Sequence, residues 1–312
     1  MVLVATPDNP IPGETQSGYL HARDRVRIRY ASWPARTKKP RGTVCLMHGR
    51  TEFIEKYFEV AEDLRRLGFA VVTFDWRGQG GSDRLLRDRM KGHVDDFKDY
   101  ELDLDVLFKQ VILPDCPPPY YALAHSTGGA IALMCAPRLR TRFERMVLTA
   151  PLLRLEKLGT KSRWIRPLVE TLGSFGLHGR QIPGATTRMA YAADFENNIV
   201  TSDKERFERT KAIGAAAPYL TVGAPTIGWL RAAFHAMDGL FEPEFTRNVK
   251  VPILLVASGA DAVVSARAIE EFSAQTRAAG HVIIPGAKHE IMMERDGLRD
   301  QFWAALEAFL PK

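Results

Sequence analysis

Three residues far apart in the chain have the types that acyl transfer requires. They are Ser126 in YYALAHSTGGA, Asp261 in SGADAVVS and His289 in GAKHEI. A serine hydroxyl is a weak nucleophile near neutral pH and needs a base beside it. A histidine can take that proton and return it to the leaving group, while a carboxylate holds the imidazole tautomer and stabilises the imidazolium. Residues 124–128 nearly match G-x-S-x-G, the strand-to-helix turn that lifts a nucleophilic serine out of a sheet, except that Ala124 replaces the first glycine. Such chemistry also needs donors for the developing oxyanion. The N–H of Thr127, at a helix start where amides are free, is one, and the N–H of Arg50 in HGR is the other. The competing readings are a helix N-cap for Ser126, another cap for Asp261 and a surface histidine for His289.

The remaining chemistry-bearing residues rank lower. His281 begins a strand, at the wrong end of a sheet. His125 is expected to point away from the serine and to pack, and His48 to support the loop that carries Arg50. Asp238 is a weaker rival acid. Asp194, Glu196 and Asp203 form no evident cluster for a substrate ammonium. DWRGQGGS lacks the spacing of either common phosphate loop and reads as a tight glycine turn near HGR. No His, Cys or Asp cluster has metal-ligand spacing, so neither metal nor cofactor is expected.

To position these residues, the chain must form a sheet. RVRIRYASW (25–33) alternates like a first antiparallel ribbon. TVCLMHG (43–49), FAVVTFDW (69–76), YYALAHS, RMVLTAP (145–151) and VPILLVASGAD (251–261) are continuous apolar runs, as strands buried on both faces are. Helical spacing recurs between them, at 57–68, 94–112, 128–136, about 264–278 and 298–310, with GHVIIPGA (280–287) as a last strand. Strand and helix thus alternate, which predicts a mostly parallel sheet with flanking helices. In such a sheet the functional groups gather outside the carboxyl ends of the strands, where Ser126, Asp261, His289 and HGR fall. The alternation breaks over 152–245, which reads as a helical insertion. The expected organisation is an α/β core at 20–151 and 246–312, a helical cap at 152–245 and an N-terminal extension at 1–19.

The net charge of +6 would favour anionic surfaces, but the basic residues are scattered and no nucleic-acid module is evident. The densest basic run, Arg138–Arg145, reads as a solvated helix end. Three cysteines, Cys45, Cys116 and Cys135, form no disulfide framework, which points to a reducing compartment. The start MVLVATPDNPIPGETQ has no basic n-region, and no apolar run approaches the roughly 18 residues of a membrane span, so a cytoplasmic location is expected.

MHGRTEF, FDWRGQGGSDR, GHVDDFKDY, AHSTGGAIAL, SGADAVVS and GAKHEI together resemble the serine-hydrolase branch of the α/β-hydrolase fold. That branch holds monoacylglycerol lipases, L2-type bacterial lysophospholipases and the so-called serine aminopeptidase group. The similarity covers most of residues 20–310, and NNIVTSDKERFER and GAPTIGWL resemble segments of the L2-type cap. The resemblance implies Ser126 as nucleophile, Asp261 as acid, His289 as base, and the amides of Arg50 and Thr127 as the oxyanion hole. It implies a serine esterase acting on a monoacyl lipid ester, a lysophospholipid or monoacylglycerol, through an acyl-enzyme. A peptidase or amidase of the same fold, or a non-catalytic binding protein, are the alternatives. The expected partners are a small acyl ester and a transient membrane surface, with no nucleic acid and no obligate protein.

Overall fold

Apolar strands too uniform to face water on either side become the centre of an eight-stranded sheet. The computed structural model describes residues 2–139, 141–156, 162–182 and 194–311. In chain order, β1 (Gln16–His21), β2 (Arg27–Trp33) and β3 (Thr43–Met47) are followed by α1 (Phe58–Arg66) and β4 (Ala70–Phe74). Then come α2 (Asp99–Leu107), α3 (Leu113–Asp115), β5 (Tyr120–His125), α4 (Thr127–Leu139) and β6 (Arg145–Thr149). The break in alternation holds α5 (Ser162–Ser174), α6 (Lys204–Ala216), α7 (Ile227–Leu240) and α8 (Pro243–Asn248). The chain returns through β7 (Ile253–Ser258), α9 (Ala266–Gln275), β8 (Ala279–Ile284) and α10 (Asp296–Phe309).

The strand order is β1-β2-β4-β3-β5-β6-β7-β8, antiparallel at β1–β2 and β2–β4 and parallel from β4 onward. Alternation along each strand sends side chains to two separate cores. Cys45, Met47, Ala122, Ala124, Leu148 and Leu255 join a core with α2, α4 and α9. Val44, Leu46, Leu123, Val147 and Val256 join one with α1 and α10. A strand buried this way on both faces cannot spare its apolar residues. The sheet's parallel centre therefore appears in the sequence as continuous apolar runs.

Two boundaries differ from the sequence expectation. The antiparallel ribbon includes β1, which runs from Gln16 through residues assigned to the N-terminal extension. The helix expected over 94–112 begins as α2 at Asp99 and continues through a π-helical turn, Phe108–Ile112. Before it, Val94 and Phe97 are buried anchors in a turn closed by Asp99 and Tyr100 amides on Asp96 and Phe97 carbonyls.

Over 152–245 the described residues are helical or irregular and add no strand to the main sheet. Residues 157–161 and 183–193 of that span lie outside the described set. Of the basic run 138–145, Arg140 lies outside it too. Arg138 pairs with Glu101, Arg142 with Asp105, and Arg145 donates to the Phe309 carbonyl.

Candidate active site

Register places the ends of the parallel strands on one edge. Met47 is level with Phe74 and Ala124, Ala124 with Leu148, and Ser258 with Ile284. Ser126 follows β5 directly and takes the left-handed backbone conformation, with φ 51°. A non-glycine residue pays for that geometry, and the surroundings hold it there. Its N–H donates to the Thr149 carbonyl, and its own carbonyl accepts from the Ala130 and Leu152 amides. The turn is also crowded. A Cβ at Gly128 would lie 2.5 Å from the His48 carbonyl oxygen, and one at Gly49 would lie 3.1 Å from the Ser126 Cβ. Only glycine lets the three chain segments approach this closely. Ala124 is fully buried within the sheet, and its methyl belongs to the core shared with α4.

His289 sits on the loop after β8, with Nε2 3.0 Å from the Ser126 Oγ and Nδ1 2.8 Å from the Asp261 Oδ2. Asp261 follows β7. Its other oxygen, Oδ1, accepts from the Val263 and Val264 amides at 2.7 and 3.0 Å. Those two bonds leave Oδ2 aimed at the imidazole. The structure therefore brings Ser126, His289 and Asp261 into one hydrogen-bonded chain. All three are largely buried, as the side-chain exposures of His289 and Asp261, 7% and 1%, show.

The amides of Arg50 and Thr127 have no acceptor among the described residues. Thr127 opens α4, and helix-initial amides have no partner within the helix. Both residues line the cavity that holds Ser126 and His289. Gly49 donates to Glu52 Oε2 at 2.5 Å, and Thr51, at φ 65°, donates to Gln79 Oε1 at 2.6 Å. The glycine turn after β4 thus packs on the Arg50 loop. His48 also bears on this loop, its Nδ1 2.8 Å from the Gly49 carbonyl and its Nε2 3.3 Å from Asp75.

One placement corrects the sequence reading. The His125 ring does not point away from the site but lines the cavity, 4.8 Å from the His289 ring centre to centre. Its Nδ1 lies 3.1 Å from the Thr149 hydroxyl. Burial, with neighbouring His289 and Lys56 adding to it, pushes its pKa down to about 3, so it packs there uncharged. His281 lies on β8, and Asp238 forms an exposed pair with Arg166, both away from the cavity.

A second cluster escaped the sequence reading. Lys56 Nζ lies 2.5 Å from Glu52 and 2.7 Å from Glu290, and the Tyr57 hydroxyl donates to Glu52 at 2.8 Å. Burial works against the Lys56 ammonium, yet Glu290 and Glu52 outweigh it and hold its pKa above the usual value. Glu52 and Lys56 stand four apart in TEFIEKYFEV, a stretch that also carries Glu55 and Glu59. That spacing was the one available signal.

The cavity measures about 320 Å³. Beyond the polar edge, its wall is Leu152, Leu155, Trp229, Ala233, Phe234 and Met237, mostly from α7. Among the described residues, no group of three or more His, Cys, Asp or Glu is arranged to hold a metal ion. No described helix is long and apolar enough to cross a membrane.

This is an α/β-hydrolase fold, with a serine, a histidine and a carboxylate hydrogen-bonded at its carboxyl edge. The serine aminopeptidase S33 family model matches residues 38–296, and the chain belongs to that hydrolase family. It is 32% identical over 285 residues to lysophospholipase L2 of Escherichia coli, covering 88% of this chain and 82% of that protein. It is 28% identical to a probable lysophospholipase L2 of Haemophilus influenzae, over 94% and 91% of the two chains. A soluble variant of Saccharomyces cerevisiae monoglyceride lipase, solved with a substrate analog, superposes with a TM-score of 0.74 at 19% identity, covering 96% of each chain.

Proposed function

We propose that the protein is a serine esterase that hydrolyses a monoacyl lipid ester, a lysophospholipid or monoacylglycerol. Ser126 attacks the ester carbonyl while His289 takes its proton, and Asp261 steadies the imidazolium. The Arg50 and Thr127 amides receive the oxyanion, whose loss of one donor typically costs about 3–4 kcal/mol. Collapse expels the alcohol with the proton from His289. Water, deprotonated by the same base, then releases the fatty acid from Ser126. Residues 152–245 serve as a cap over the acyl chain. The observation that carries this reading is the Ser126–His289–Asp261 chain of hydrogen bonds opening onto an apolar cavity. The names of the relatives, lysophospholipase L2 and monoglyceride lipase, support the substrate class.

The peptidase alternative draws less support. Asp203 caps α6 and pairs with Arg206, Asp194 lies 3.7 Å from Lys211, and neither these nor Glu196 lines the cavity. The carboxylates that do line it, Glu52 and Glu290, are engaged by Lys56. A cytoplasmic setting belongs to the same proposal, supported by the free Cys45, Cys116 and Cys135.

A fluorophosphonate probe tests the nucleophile. It should label the wild type and fail on Ser126→Ala, and labelling that survives the substitution would sink the assignment. Turnover of p-nitrophenyl esters of increasing chain length then tests the acyl pocket. Medium or long chains should be preferred, and a sharp preference for acetyl would refute it.

A further inference from the structure

Arg50 has a second feature beside its amide. Its guanidinium lies over the Trp229 ring, 5.2 Å from the ring centre, and one Nη donates to the Gly223 carbonyl. Its Nε is enclosed and has no acceptor, and no carboxylate pairs with Arg50 among the described residues. The Tyr100 hydroxyl, which accepts from the Trp229 indole, is also close enough to act on it. Burial depresses the guanidinium pKa to about 10. Arg50 is half-buried, and the arginines that the structure buries more fully, Arg29, Arg65, Arg77 and Arg299, each have a carboxylate in contact. Arg84, also half-buried, pairs with no carboxylate among the described residues either, but it donates to the carbonyls of Gly80, Arg89 and Tyr219.

A cation held partly out of water without a counter-charge is unfavourable, and an arriving anion offsets that cost. A guanidinium carries five donors in a planar fork and binds phosphate oxygens well, more so when stacked on an aromatic face. Arg50 lines the same cavity as Ser126 and His289. Its guanidinium can lie no farther from the oxyanion amide than the length of its own side chain. In a monoacyl glycerophospholipid, the phosphate stands three carbons and an oxygen from the ester oxygen, a comparable span. The acids on the cavity wall do not compete, because Lys56 bridges Glu52 and Glu290.

We propose that the Arg50 guanidinium binds the phosphate of the substrate, so that the enzyme selects phosphate-bearing monoacyl esters over neutral monoacylglycerols. The assignment rests on the esterase reading above and narrows it to a headgroup.

The test compares kcat/KM for a lysophosphatidate and a monoacylglycerol of the same medium-length acyl chain. The wild type should favour the phosphate ester. In Arg50→Met the ratio of the two values should fall by about tenfold or more, the scale of one lost hydrogen bond to a charged group. Arg50→Lys, which keeps a charge, should retain more of it. The ratio cancels any loss common to both esters, such as a disturbed Arg50 amide, and fluorophosphonate labelling of Ser126 verifies that each variant is folded. A wild type that hydrolyses the neutral ester equally well overturns the assignment without any variant. So does a ratio that stays within about twofold of the wild type in Arg50→Met. A wild type that hydrolyses neither ester instead overturns the proposed function itself, and this assignment with it.

Discussion

Two acid-bearing clusters flank the same cavity and are built from similar residue types. In one, Asp261 faces the His289 imidazole and the imidazole faces the Ser126 hydroxyl, so a proton has a path along the chain. In the other, Glu52 and Glu290 face Lys56, whose ammonium both carboxylates claim. There both carboxylates are committed to one ammonium. Burial raises the cost of charge in both, and the second balances it with the permanent charge of the Lys56 ammonium. The lesson is that the partner, more than the position, separates a group that moves protons from one that holds geometry. Glu52 also accepts from Gly49, next to the Arg50 amide, while Glu290 adjoins His289. The second cluster thus clamps two loops on which the first depends.

The largest effect expected on this contrast comes from Asp261→Asn. It keeps the shape of the first cluster and removes its charge. Turnover should fall by about 10⁴, by analogy with other Ser-His-Asp sites, while the thermal midpoint barely moves. Unchanged turnover would place the acid elsewhere. Lys56→Met attacks the second cluster and should act mainly on stability. Two buried carboxylates would lose their counter-ion, at a cost of about 3–5 kcal/mol in denaturant titrations. A loss of turnover in a variant of wild-type stability would erase the distinction between the clusters.

The smallest effect concerns His125, which touches both. The folded protein keeps it neutral down to about pH 3, whereas the unfolded chain protonates it near pH 6.5. The unfolded state therefore binds the extra proton, and stability falls as pH drops from 6.5 toward 3. Replacing His125 with Gln should make that fall shallower by at most about 1.4 kcal/mol per pH unit. Denaturation midpoints at several pH values would show it, and parallel curves for the two proteins would contradict it.

What was legible in the sequence follows from how the interactions are made. Ser126, Asp261 and His289 each follow an apolar run, and register in a parallel sheet leaves little freedom about where those runs end. The edge strand β1 was not legible, because QSGYLH mixes exposed and half-buried positions with a glycine. The Lys56–Glu290 pair was not, because its partners are 234 residues apart and no local pattern links them. His125 was misread for a related reason. Its backbone points as an elbow demands, but the ring's place depends on His289, which arrives from β8. For Arg50 the backbone was legible, since the HGR loop must follow β3, whereas the guanidinium's resting place depends on Gly223 and Trp229.

The loop that carries His289 is fastened from an unexpected side. The Glu290 amide donates to the Val200 carbonyl at 2.8 Å, and Lys288 Nζ reaches the carbonyls of Asn198 and Thr201, each at 3.2 Å. Thr201 in turn donates its hydroxyl to the Met293 carbonyl at 2.7 Å. The segment 198–201 is therefore tied to the loop that carries His289, although it lies in the stretch between β6 and β7. Anyone exchanging insertions between relatives to alter substrate range would do best to leave these four residues with the recipient. The transplant would then begin beyond them, and the imidazole would keep its footing while the wall of the cavity changed.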